Sequence, residues 1–313
     1  MRAVRYSAAG AAAEVIELVE IADPVPADDE VLVRVAAVGL NPIDVKIRAA
    51  GSDVGPIEYS PLPGWDVAGE VVATGAAVTS LEVGDAVFGL ARFPRAAHTL
   101  AELVAVPAAD LAKAPTSWKV EQQGAAPLAV LTAWHAFEAA GLVGDAAGER
   151  VLVLGGAGGV GHLAVQVAKA RGAHVVATAS PAKHALLAEL GADETVDYRD
   201  QAALAAIEPV DVVLSTIGDG VPPRGAVKEG TAVITITGFP DGAVEALRAA
   251  GATGLERIMV AADGAALEEA AALADAGRLT VVIDSVFGLA DLVAAQERLE
   301  TGRVTGKVVV TVP

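Results

Sequence analysis

Residues Val151, Leu152, Val153 and Leu154 form a short, wholly apolar run, and glycines crowd the seven positions after it. A run without a polar face predicts a strand buried on both sides, as inside a parallel sheet. From His162 the period changes. Leu163, Val167 and Ala170 recur at i, i+4 and i+7, and Lys169 and Arg171 close the last turn, which predicts a helix. Residues 173–179 return to a strand pattern. The alternation then continues, with a helix at 181–190 closed by Gly191 and strands at 194–196, 210–215, 232–237 and 256–260. Before the apolar run, residues 123–140 read as one helix; after the last of these strands, 265–276 reads as another. Alternating strands and helices predict a parallel sheet covered on both faces.

The first 115 residues carry a different pattern. Apolar stretches at 31–38, 67–72, 86–89 and 101–106 are separated by Pro24, Pro26, Gly75, Gly84-Asp85 and Pro107. Short strands at such intervals predict an all-β module, a partly closed barrel. Asn41-Pro42 starts a short helix inside it, asparagine as the cap and proline in the first turn. A loop broken by glycine and proline follows at 51–64 and carries Tyr59. The strands expected at 281–283 and 308–312, with a helix at 289–300 between them, return the chain to this module. Two domains result: residues 1–118 completed by 280–313, and residues 119–279.

Composition narrows the possible partners. The chain has 313 residues, 53% hydrophobic, with a net charge of −18. That is enough for a large core. Nucleic acids and anionic membranes both require a basic face, so neither is an expected partner. No stretch is long and apolar enough to span a bilayer, and residues 1–6 lead into strand-like sequence rather than a signal peptide. With no cysteine, disulfides and thiolate–metal sites are excluded, which fits a cytoplasmic enzyme.

The candidate chemistry begins at the glycine turn. Gly156, Gly158 and Gly161 satisfy G-x-G-x-x-G between a buried strand and a helix, the context in which that motif cradles a dinucleotide pyrophosphate. A NAD site wants an acidic residue at the end of the second strand, whereas here the chain reads Ala177-Thr178-Ala179-Ser180-Pro181-Ala182-Lys183. A hydroxyl and an ammonium suit a 2′-phosphate instead, so NADPH is the expected cofactor. Ser180 as an N-cap, Lys183 as a solvated side chain and Tyr198 as a packing residue are the structural alternatives.

Several stretches together resemble the zinc-independent quinone oxidoreductase branch of the medium-chain dehydrogenase/reductase superfamily. They are Val38-Gly39-Leu40-Asn41-Pro42-Ile43-Asp44-Val45-Lys46-Ile47-Arg48, Leu62-Pro63-Gly64-Trp65-Asp66-Val67-Ala68-Gly69-Glu70-Val71 and Leu81-Glu82-Val83-Gly84-Asp85-Ala86-Val87. The glycine turn and Gly306-Lys307-Val308-Val309-Val310 complete the set. The resemblance implies a GroES-like β-barrel catalytic domain, a Rossmann doubly wound cofactor domain and a cleft between them. In zinc-binding relatives a histidine ligand occupies the position of Trp65, and no cysteine remains to supply the others. The scattered histidines have no ligand spacing.

The resemblance also implies site roles. Asn41 and Asp44 would orient the nicotinamide end, Asp44 either relaying a proton or pairing with Lys46 or Arg48. Tyr59 would protonate an enolate or be a loop aromatic, and Thr132 would face the nicotinamide or be an internal helix threonine. Ser180, Lys183 and Tyr198 would form the phosphate pocket. Ala157, Gly158, Gly159, Val160, Thr216, Ile217, Thr237, Gly238, Phe287 and Lys307 complete the expected cofactor contacts. Related enzymes often carry tyrosine where Lys46 stands.

The function expected is metal-free, NADPH-dependent reduction of quinones or α,β-unsaturated carbonyls by direct hydride transfer. Conjugated acceptors spread the charge that a simple ketone would leave on one oxygen. The alternatives are an enoyl reductase tailoring a secondary metabolite, and a non-catalytic NADPH-binding sensor or structural protein. A homodimer is expected through the edge strand of the cofactor domain, with Ile258, Met259 and Val260 presented for pairing.

Overall fold

The computed structural model describes every residue except Ser52, Asp53 and Asp219, so two positions of the loop at 51–64 lie outside the described residues. Contacts divide the chain into two compact units. One comprises Met1–Leu131, Val260–Gly277 and Val281–Pro313; the other comprises Thr132–Met259 and Arg278–Thr280.

In the first unit β1 (Arg2–Tyr6) and β2 (Ile16–Glu20) form an antiparallel ribbon. The following strands are β3 (Glu30–Leu40), β4 (Asp66–Thr74), β5 (Ala86–Leu90), β6 (Leu103–Pro107) and β7 (Leu111–Lys113). The long strand β3 organises them because both its edges are used. β4 takes one edge, while β6 pairs with Glu30 to Arg34 on the other. Val31, Val33 and Val35 alternate into the core, as the period of two requires.

Among the described residues the second unit holds six strands: β8 (Arg150–Leu154), β9 (His174–Ala179), β10 (Glu194–Asp197), β11 (Val210–Ser215), β12 (Val227–Thr235) and β13 (Thr253–Arg257). All are parallel, in the order β10-β9-β8-β11-β12-β13. The order runs outward from β8 in both directions, which makes the end of β8 the switch point where such sheets bind ligands. Leu152, Leu154, Val176 and Val213 pack in one core cluster, and this is why the runs that carry them lack polar positions. The last strands, β14 (Ile283–Gly288) and β15 (Lys307–Thr311), belong to the first unit, where β15 pairs with Ala37 to Leu40 of β3.

Four elements differ from their predicted form. The helix expected at 123–140 is two helices, Val120–Ala125 and Pro127–Ala139, because Pro127 has no N–H to continue the ladder. The strand expected at 232–237 starts earlier and stops at Thr235, whose hydroxyl accepts from the N–H groups of Thr237 and Gly238 and turns the chain. The strand expected at 256–260 is Thr253–Arg257. It ends where its partner β12 ends, so Ile258, Met259 and Val260 lie beyond it. The strand expected at 281–283 begins at Ile283, in register with Lys307. The helix Gly264–Asp275 counts with the first unit, where the Asp275 carboxylate accepts from the Ser117 N–H and the Thr116 hydroxyl.

The glycine turn permits one direct test. A Cβ at Gly161 would lie 2.2 Å from the Gly155 carbonyl oxygen, whereas one at Gly158 would lie 3.3 Å from the same atom. Gly161→Ala is therefore expected to destabilise the second unit by about 1–3 kcal/mol in urea unfolding, and Gly158→Ala by much less.

Candidate active site

In the first unit a polar cluster is enclosed by apolar strands. Asn41 precedes the helix Pro42–Ala50, and the cap runs in reverse: the Asn41 N–H donates to Asp44 Oδ2 at 2.7 Å. The Asn41 amide is thereby released for other work. Its Nδ2 donates to Asp66 Oδ2 at 2.9 Å, and its Oδ1 accepts from Lys307 Nζ. Lys307 also lies 3.4 Å from Asp66 Oδ2. The second Asp66 oxygen accepts at 2.7 Å from the N–H of Leu128, in the first turn of the helix that Pro127 starts. A helix N-terminus favours an anion, so the break at Pro127 supports Asp66. Gly39 leaves the room required: a Cβ there would fall 2.7 Å from Asp66 Oδ2.

Burial governs the electrostatics. It raises the Asp66 carboxyl, against the Lys307 ammonium, the Asn41 amide and the Leu128 N–H, which all favour the anion. Burial also pushes Asp44 up to about 7; the Asn41 N–H opposes that rise and the charge of Asp66 adds to it. Tyr6, on β1, donates to no described carboxylate. Its hydroxyl accepts from Gln296 Nε2 at 2.6 Å and is raised by burial, with Asp44, Arg48 and Tyr59 near enough to act on it.

The alternative partners expected for Asp44 are both engaged or turned elsewhere. Arg48 donates to the Gly10 carbonyl at 2.6 Å and pairs with Glu300, and Lys46 is exposed. Tyr59 is half-buried, with no hydrogen bond to a described residue. Lys307 is buried against Asn41 and Asp66 rather than displayed, and Phe287, on β14, is half-buried. Trp65 is buried too. Its Nε1 donates to the Arg95 carbonyl at 2.7 Å and its ring meets Phe93 edge-on. Among the described residues no three His, Cys, Asp or Glu side chains stand together as a metal centre would require.

In the second unit the expected cofactor contacts gather at the carboxyl ends of the strands. Gly155 turns at φ +81°, and the Gly156 N–H donates back to Thr178. The N–H groups of Ala157, Gly159 and Val160, ahead of the helix Gly161–Ala170, are half-buried and bond to no described residue. His162 braces this turn: its Nδ1 donates to the Gly158 carbonyl at 2.9 Å. Thr216 closes β11 onto Leu154 at 2.8 Å, and Thr237 donates to the Ile217 carbonyl at 3.1 Å. Gly238 follows at φ +108°. Thr132, buried in its helix, belongs to this unit.

Ser180 and Tyr198 follow directly on β9 and β10, whose register pairs Ala179 with Asp197. Ser180 begins the short helical turn Pro181–Lys183 without a side-chain cap, which leaves its hydroxyl available. One carboxylate does stand nearby, on the neighbouring strand. Asp197 is balanced by Arg199 at 3.1 Å, and the Arg199 N–H and guanidinium hold its pKa below the usual range. Arg199 in turn lies over the Tyr198 ring, 5.4 Å from its centroid. Asp66, Tyr6, Gln296, His162 and Arg199 had no assigned role in the sequence. Asp66 did leave a signal there, as a carboxylate between the apolar residues Trp65 and Val67.

The pattern of the alcohol dehydrogenase GroES-like domain matches residues 27–116, and that of the zinc-binding dehydrogenase family matches residues 190–310. The tomato (Solanum lycopersicum) 2-methylene-furan-3-one reductase is 36% identical over 93% of this chain and 74% of its own. The chain belongs to the medium-chain dehydrogenase/reductase superfamily. Within that superfamily it falls in the quinone oxidoreductase branch. The chloroplastic NADPH-dependent alkenal/one oxidoreductase of Arabidopsis thaliana is 36% identical, covering 90% of this chain and 72% of the relative. The quinone oxidoreductase of Coxiella burnetii superposes with a TM-score of 0.85 at 32% identity, covering 100% of this chain and 99% of that one. The GroES-like and Rossmann architecture shared across the superfamily is the one described above.

The buried pair predicts a large stability effect. Lys307→Met removes the cation and leaves Asp66 enclosed without it, at an expected cost of about 3–5 kcal/mol in urea unfolding. Adding Asp66→Asn should recover part of that loss; no recovery would show that the ion pair is not what Lys307 contributes.

Proposed function

We propose that this oxidoreductase uses NADPH to reduce quinones or α,β-unsaturated carbonyls without a metal. The observation that carries the reading is the glycine turn at the end of β8, where three N–H groups without a partner among the described residues precede a ten-residue helix. Such a turn fits a pyrophosphate, and the absence of Cβ atoms leaves the backbone open to it. When bound, the dinucleotide supplies a hydride. Ala157, Gly158, Gly159 and Val160 hold its phosphates, while Thr216, Ile217, Thr237 and Gly238 shape the adjoining strand ends. Ser180, Lys183 and Tyr198 take the 2′-phosphate, and Arg199 pairs with Asp197, a carboxylate that would oppose it.

In this reading residues 1–118 with 280–313 are the catalytic domain and residues 119–279 the cofactor domain. Asn41, Asp44 and Tyr59 serve the acceptor side. Thr132, Phe287 and Lys307 support the nicotinamide side. Conjugated acceptors suit such a set, since they need orientation and one proton more than a Lewis acid. The names of the relatives support the substrate class: a furanone reductase, an alkenal/one oxidoreductase and quinone oxidoreductases. A place in the cytoplasm is part of the proposal; among the described residues no helix is long and apolar enough to cross a membrane.

NADPH oxidation against a panel of quinones, enones and enoyl thioesters tests the reading, before and after dialysis against a strong chelator. Turnover unchanged by the chelator is expected. Binding of NADPH with no acceptor reduced would favour the sensor, and a loss restored by zinc would overturn the metal-free assignment. Lys183→Ala should weaken NADPH by about 1–3 kcal/mol and leave NADH nearly unaffected. Equal losses would remove Lys183 from the phosphate site.

A homodimer through β13 completes the proposal. This strand is the sheet edge, but Gly254 bulges it and Glu256 and Arg257 are exposed, features that weaken edge pairing. The Ile258 N–H donates to Thr235, so alternation turns the Arg257 N–H outward. Sedimentation should report about twice 31.3 kDa, and Arg257→Pro should shift the protein towards monomer. A wild-type monomer at high concentration would exclude this interface.

A further inference from the structure

The polar cluster around Asn41 holds one ammonium and two carboxyl groups, all buried. Lys307 is 3% exposed, Asp66 0% and Asp44 1%. If all three were ionised, the cluster would keep one uncompensated negative charge in a medium that solvates it poorly. The hydrogen bonds show where the compensating proton belongs. Asp66 is supported as an anion by Lys307, the Asn41 amide and the Leu128 N–H. Asp44 has no cation against it and draws its support from backbone N–H groups, that of Asn41 on Oδ2 and its own, while its Oδ1 has no hydrogen-bond partner among the described residues.

The charged and titratable groups around Asp44 do not alter that balance. Asp66 on β4 repels its anion, while Lys307 on β15 favours it from the far side of Asn41. Arg48, one turn along the same helix, is committed to Gly10 and Glu300. Tyr6 on β1 is within electrostatic reach and is raised by burial, and Tyr59 from the loop acts on Tyr6 in turn.

We propose that Asp44 is the proton store of the reduction, protonated in the resting protein and passing the proton held on its enclosed Oδ1, by way of water, to the anion formed on the acceptor. This rests on the reductase reading above. Hydride addition delivers two electrons and one hydrogen and leaves an oxyanion or enolate. The Oδ1–H bond of Asp44 then breaks, and a new O–H or C–H bond forms on the acceptor. Asp44 is left as a carboxylate and is reprotonated from water before the next turnover. Asp66 and Lys307 act as positioning residues, keeping their own charges paired so that Asp44 is the group that titrates.

Three measurements decide it. Infrared difference spectra of the protein without acceptor, between about pH 5 and pH 9, should contain a protonated carboxyl band that titrates near neutrality. The band should be missing in Asp44→Asn. Stability should follow the same proton. A carboxyl raised above its unfolded value binds a proton that the unfolded chain has released, so the native state loses stability as pH rises from about 4 through about 7. That loss should be present in wild type and reduced in Asp44→Asn. In turnover, Asp44→Asn should lower kcat by about 10²–10⁴-fold and remove the fall in rate above neutral pH. Asp44→Glu should restore that limb, shifted, which separates a proton role from simple packing.

Asp44→Asn with wild-type rate and an unaltered pH profile would overturn the proposal and leave the reductase reading standing. So would a wild-type protein with no titrating band, a measurement that needs no variant to fold. A wild type that reduces no acceptor would overturn the reductase reading, and the proton store with it.

Discussion

One buried ammonium answering two buried carboxyl groups is the constraint on which the candidate active site depends. A charge taken out of water is retained only where hydrogen bonds and an opposite charge replace the lost solvent. Around Asp66 the chain supplies them from three separate places. Asn41 turns its amide away from its own helix, Lys307 opens the last strand, and Pro127 restarts a helix so that the Leu128 N–H donates to the carboxylate. Gly39 keeps the space clear. Features that look local, a reversed cap and a broken helix, have a common cause in that single carboxylate.

The second unit solves a different electrostatic problem. A protein with a net charge of −18 has to attract a polyanionic cofactor. In the proposed reading the attraction is short-range, from backbone N–H groups at one turn and from a few side chains on adjacent strand ends. His162 holds the turn from within by donating to the Gly158 carbonyl, and Arg199 neutralises Asp197 beside Tyr198. Both effects act within a few ångströms, well inside the distance over which salt screens charge.

Trp65 connects the fold to the choice of chemistry. At the position where zinc-binding relatives carry a histidine ligand, its indole is buried against Phe93 and bonded to the Arg95 carbonyl. The neighbouring residue, Asp66, anchors the polar cluster. Two successive positions, the second opening β4, therefore place packing at one and a carboxylate within reach of Asn41 and Lys307 at the other. Such a site favours acceptors whose conjugation spreads the developing charge, because charge dispersed in the acceptor needs less stabilisation from the protein.

Local patterns were legible in the chain itself. The apolar run at Val151 to Leu154, the glycines after it and the helical period from His162 specify strand, turn and helix through neighbours a few residues apart, and the structure has them there. The β-rich first module, the missing carboxylate after β9 and the absence of cysteine were equally open to reading. Boundaries were legible only where a local residue sets them. Thr235 stops β12 through its own hydroxyl, and β13 ends because β12 does, a dependence carried by hydrogen bonds between distant segments. The site followed the same division. Asn41 and Asp44 could be chosen from their motif, but their partners could not, since Lys307 is 266 residues from Asn41 and Asp66 lies 25 away. Sequence determined which groups were available for chemistry. Only the folded chain decided which of them share a buried volume, because the cost of burying a charge depends on every group enclosed with it.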